Sequence, residues 1–97
     1  MRNQKRPIHP GEHLREELAE LELSAAKFAA LLAVPMNRVT QILNHKHAVS
    51  ADTALRLARY FGTTPEFWMQ LQAAYDLRLA ERKSGKAIAR RVNPRAA

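Results

Sequence analysis

ALLAVPMNRVTQILNHK, residues 30–46, decides how the chain is to be read. Leu32, Val34, Val39 and Ile42 have the spacing of two short helical pieces broken at Val34-Pro35. Proline cannot continue the first piece and turns the residue before it away from helical conformation. Among these apolar positions stand Met36, Asn37, Arg38, Thr40 and Gln41, long or hydrogen-bonding and mostly uncharged. A merely solvated helix face is cheaply filled with glutamate, yet no acidic residue occurs between Glu22 and Asp52.

Outward from this stretch the period stays helical, and no segment alternates as a strand would. Pro10 suits the first turn of a first helix whose Leu14, Leu18 and Leu21 share a face. Ser24 is placed to cap a second helix that turns Phe28, Ala29 and Leu32 inward. The third begins near Pro35 or Met36 and reaches about Asn44, and residues 45–49 form a loop. Ser50 caps a fourth, with Ala54, Leu55, Ala58 and Phe61 along it. Gly62 ends that helix; Thr64 and Pro65 open a fifth, which carries Phe67, Trp68, Leu71, Ala74, Tyr75 and Leu79. The predicted fold is all-α, a compact five-helix domain over residues 10–82. It is flanked by a basic arm, 1–9, and a basic tail, 83–97, expected to be disordered.

Ninety-seven residues make one small domain that buries only part of its apolar surface alone, so self-association is expected. The apolar band of the fifth helix is wider than one core face needs, and Phe67, Trp68, Leu71 and Tyr75 are its expected dimer contacts. There is no cysteine, no apolar run of membrane-spanning length and no signal-peptide pattern at the start, so a cytoplasmic location is expected. The net charge of +7 invites nucleic acid, an anionic surface or an acidic partner.

The central stretch meets the demands of a DNA-binding helix-turn-helix. Ala29 is small where the helices cross, Val34 fills the turn, and Val39 and Ile42 anchor the second helix from beneath. The helical period then turns Met36, Asn37, Thr40, Gln41 and Asn44 outward. Amides match the adenine edge, arginine the guanine edge, and Met36 a thymine methyl. The expected base readers are Met36, Asn37, Arg38, Thr40 and Gln41, with Arg38 near enough to the flank to hold phosphate instead. Ser24, Lys27, Asn44, Lys46 and His47 are the expected phosphate contacts. His9 with His13 and His45 with His47 have no cysteine or dense cluster beside them, so they read as surface histidines and no metal or cofactor is expected. No carboxylate pair stands beside a nucleophile, so the chain is not expected to be an enzyme.

HPGEHLREEL, VPMNRVTQILN and SADTALRLARYFGTTPEFWMQLQAAYDLRLAE together resemble the HigA (VapI) type of antitoxin, within the Cro/repressor-like (XRE) helix-turn-helix class. The resemblance spans roughly residues 8–82. It implies an antitoxin of a type II toxin–antitoxin module, usually a dimer. Such a protein silences a HigB-type messenger-RNA-cleaving toxin and represses its own operon from a palindromic operator. The DNA motif taken alone equally permits a plain repressor with no toxin partner. Proteins that grip RNA tend to be basic, which makes Glu12, Glu16, Glu17 and Glu20 of the first helix the candidate toxin contacts. Two positions depart from the pattern: Ala33 in the turn and His45 after the third helix stand where this architecture prefers glycine. A further departure is Ala25 after Ser24, where the class often carries a glutamine that holds phosphate.

Overall fold

Four of the five described helices start where a side chain satisfies their first free N–H groups; the one that follows Pro35 has no side-chain cap. The Oγ atoms of Ser24, Ser50 and Thr64 accept from the backbone of Lys27, Thr53 and Phe67 at 3.1–3.2 Å. In a computed structural model describing residues 6–96, these caps open α2 (Ala25–Leu32), α4 (Ala51–Phe61) and α5 (Pro65–Arg91). Before them comes α1 (Pro10–Leu21), and between α2 and α4 lies α3 (Met36–Leu43), the second helix of the motif. No strand occurs among the described residues. The cap of α1 is His9, whose Nδ1 accepts from the Gly11 N–H at 2.8 Å.

The core takes Leu14 and Leu18 from α1, Phe28, Ala29 and Leu32 from α2, and Val39, Ile42 and Leu43 from α3. Val49, Ala54, Leu57, Ala58 and Trp68 complete it. Two leucines of α1 and α4 lie outside it. Leu21 and Leu55 are exposed, and Leu57 holds the place that α4 offers to the core. Trp68, expected at a dimer interface, is instead 1 % exposed. Its ring packs against Phe61 and Phe67, and its Nε1 donates to Thr63 Oγ1 at 3.0 Å. A large ring with one polar atom is best placed where that atom finds a partner, and the core of so small a domain needs its area.

The tail beyond residue 82 is a second correction: α5 continues to Arg91. Lysine, arginine and alanine all propagate helix well, and a helix already nucleated against the body extends at little cost. Arg90 and Arg91 also complement the negative end of its dipole. Of the basic arm, Arg6 folds onto α1 with its guanidinium spanning both Glu12 carboxylate oxygens at 2.7 and 3.0 Å. Arg2 and Lys5 lie outside the described residues.

Candidate nucleic-acid interface

The turn between α2 and α3 is shaped by backbone hydrogen bonds that close α2. Ala33 N–H donates to the Ala30 carbonyl and Val34 N–H to that of Ala29, at 3.1 and 3.0 Å. This arrangement requires a left-handed residue at position 33, and Ala33 adopts φ 59°. The end of α3 repeats it: His45 N–H bonds Ile42, Lys46 N–H bonds Gln41, and His45 sits at φ 61°. Both sites flagged as glycine-preferring are therefore left-handed in the fold.

Val39 and Ile42 are buried, as their spacing requires, which leaves the opposite face of α3 open. Met36, Asn37 and Arg38 are exposed there, and Thr40 and Gln41 are half-buried. Thr40 Oγ1 donates to the Asn37 carbonyl at 3.2 Å, so its hydroxyl keeps only acceptor capacity and its methyl for an outside partner. Arg38 is not a loose reader. Its guanidinium lies 2.9 Å from Asp52 on α4, a carboxylate shared with Arg56 at 2.7 Å. Those bonds, that of Arg56 first, hold the Asp52 carboxyl below its usual range against the opposing effect of burial. Ser24, Lys27, Asn44, Lys46 and His47 are all exposed along the flanks of α3. Asn44 Oδ1 accepts from Arg15 at 3.3 Å, which leaves its amide N–H groups free to donate.

Three features of this support escape a reading of the sequence. Arg56 also donates to the Leu32 and Ala33 carbonyls at 2.9 and 3.2 Å, tying the end of α2 to α4. Arg15, the one base among the glutamates of α1, donates to the Leu43 carbonyl at 3.0 Å and so closes the far end of α3. Gln72 of α5 is buried; its Oε1 accepts from Val49 N–H at 2.7 Å and its Nε2 donates to Asp76 at 3.0 Å, fixing the loop that carries Lys46 and His47. The lone arginine in an acidic helix and the Asp52–Arg56 spacing were the only signals available.

The histidines sort by environment. His9 is 3 % exposed, its ring stacked on His45 with centroids 4.8 Å apart and met edge-on by Tyr75 at 4.8 Å. Burial first, and the neighbouring His45 second, push its pKa below the usual histidine value. His13 packs edge-on against Phe67 and Trp68. No group of three or more potential metal ligands occurs among the described residues, and no described helix is long and apolar enough to cross a membrane.

On α1, Glu12 is occupied by Arg6, and Glu17 lies 4.0 Å from His13. Glu16 and Glu20 are exposed and have no ion-pair partner among the described residues. On α5, Phe67 is exposed and Leu71 and Tyr75 are half-buried, with Leu77 and Leu79 exposed further along.

The helix-turn-helix family model matches residues 14–68. Virulence-associated protein I of Dichelobacter nodosus is 47% identical over 81 residues, covering 82% of this chain and 75% of its own. An addiction module antidote protein of a HigA family from Coxiella burnetii superposes with a TM-score of 0.92 at 59% identity, covering 94% of this chain and all of that one. Pseudomonas aeruginosa antitoxin HigA, solved with the higBA promoter, superposes at 0.91 with 44% identity over 94% of this chain and all of that one.

Proposed function

The chain belongs to the helix-turn-helix family, among the HigA-type antitoxins, and on that premise we propose that it represses its own operon and neutralises a HigB-type toxin. The observation that carries the DNA half is the face of α3: buried Val39 and Ile42 beneath, uncharged hydrogen-bonding side chains outside. Asn37 and Gln41 reach base edges in the major groove, and Met36 meets a thymine methyl. Ser24, Lys27, Asn44, Lys46 and His47 hold phosphates on either side and set the register. Arg38, already braced by Asp52, positions α3 and offers its remaining N–H groups to phosphate or guanine at the flank. The likeness to an antitoxin solved with its promoter supports the same docking.

The chain acts as a dimer in this reading. Phe67, Leu71 and Ala74 follow one another at helical spacing on α5, and pairing of two such faces sets two recognition helices about 34 Å apart, one turn of a palindromic operator. The toxin is met on a different surface, the acidic side of α1 around Glu16 and Glu20, so repression and neutralisation are compatible in one complex. Nothing in this scheme requires a cofactor or a catalytic group.

Two measurements test it. Anisotropy titration on the duplex upstream of its own gene, against a scrambled duplex at the same salt, gives at least about a 1,000-fold preference if α3 reads sequence. Co-expression with the adjacent reading frame rescues growth if that frame encodes the toxin. Equal affinity for both duplexes overturns the repressor, and failure to rescue overturns the antitoxin.

A further inference from the structure

Seven of the sixteen basic residues lie between Arg78 and Arg95, against the single acid Glu81. Most of this run is helix that has left the body. No described residue after Gln72 is buried, and the molecule is 53 Å long but only 24 Å across. Arg82, Lys83, Lys86, Arg90 and Arg91 have no ion-pair partner among the described residues.

The helical period says which way these charges point. Gln72 and Arg90 are eighteen residues apart, five full turns, and so share one direction. Lys83 and Lys86 fall within about 40° of it. Gln72 faces the loop after α3 through its bond to Val49, and Tyr75, less than a turn on, meets His9 where that ring stacks on His45. The face of α5 seated against His9 and the loop after α3 therefore continues beyond the body as Lys83, Lys86 and Arg90. An inner face that stayed apolar would have extended the core; this one turns basic where the core stops.

The recognition motif itself is short of free charge. Arg38 is paired with Asp52, which leaves Lys27 and Lys46 as its unpaired cations. Two cations are few against a duplex with one negative charge per roughly 1.7 Å. We propose that the free end of α5 is a second, sequence-independent DNA contact, in which Lys83, Lys86 and Arg90 lie against phosphates flanking the site that α3 reads. The twelve residues from Ala80 to Arg91 extend about 18 Å, the length of about five base pairs. The inference rests on the operator-binding reading above.

The test compares the full chain with its Lys83→Gln/Lys86→Gln/Arg90→Gln variant on the operator, by anisotropy between 50 and 200 mM salt. One duplex ends at the operator and one carries about ten further base pairs on each side. Each lost phosphate contact removes about 0.9 from the slope of log affinity on log salt, so three lower it by about 2.7 per protomer. Across that four-fold salt range the wild type then loses about 40-fold more affinity per protomer than the variant on the long duplex. On the trimmed duplex the difference shrinks. Equal slopes on the long duplex, with the operator still bound, overturn the flanking contact and leave the reading by α3 intact. Equal slopes joined to a changed oligomeric state overturn it too and assign the basic face to a second copy of the chain. Failure of both proteins to prefer the operator overturns the reading beneath.

Discussion

Among the described residues, three with side chains occupy the left-handed region: Glu22, Ala33 and His45, each just past a helix end. An L-residue there carries about 1–2 kcal/mol of strain that glycine avoids. Ala33→Gly should therefore stabilise the fold by about 0.5–1 kcal/mol, after allowing for the greater freedom glycine gives the unfolded chain. Urea melts measure it; a loss of stability would mean that Ala33 has relaxed out of the left-handed region. His45→Gly should gain less, because it removes the ring stacked on His9. Ala33 and His45 were legible because each stands where the motif prefers glycine. Glu22 was not, because nothing in a glutamate before Leu23-Ser24 marks a closing turn. His9 is the other residue with a measurable consequence. Its pKa is lowered in the fold, so the unfolded chain takes up a proton first as pH falls. Its contribution is complete above the unfolded value near 6.5 and is lost as pH drops towards the lower folded value. Melts at pH 7.5 and 5.5 should show that loss, and His9→Asn, which keeps a capping side chain, should shrink it.

At the scale of the element, α3 is gripped from both ends by arginines of other helices, Arg15 at its close and Arg56, through Asp52 and the end of α2, at its start. Its position also depends on Gly11 in α1. A Cβ at Gly11 would collide with the backbone carbonyl of Ile42, which cannot move without shifting α3. Gly11→Ala should lower stability by about 1–3 kcal/mol and weaken operator binding beyond what the remaining folded fraction explains. Unchanged melting would show that α1 and α3 separate freely. Capping residues, the proline break and the apolar spacing made the helices readable, because those signals are local. The clamps were not readable, because an arginine 28 residues from its carbonyl partner leaves no local trace. Trp68 and the end of α5 were misjudged for related reasons. An aromatic on a helix does not announce whether core or partner covers it, and a basic run with high helix propensity looks like a tail until its upstream helix is seen packed.

Across the whole molecule, charge is divided by element: glutamates gather on α1 and cations on the free end of α5. That division separates the surfaces a basic toxin and a DNA backbone would each favour. Glu16→Lys/Glu20→Lys should weaken toxin binding at least ten-fold by calorimetry while leaving operator affinity unchanged; toxin affinity equal to wild type would move the toxin contact off α1. The central claim, that α3 reads bases, is tested most directly by titrating wild type and Gln41→Ala against a set of operators, each with one base pair changed. The account predicts a loss of about 1–3 kcal/mol for Gln41→Ala on the intact operator, and no further loss when the base pair it reads is altered. An equal loss on every duplex would place Gln41 on the backbone and contradict the account.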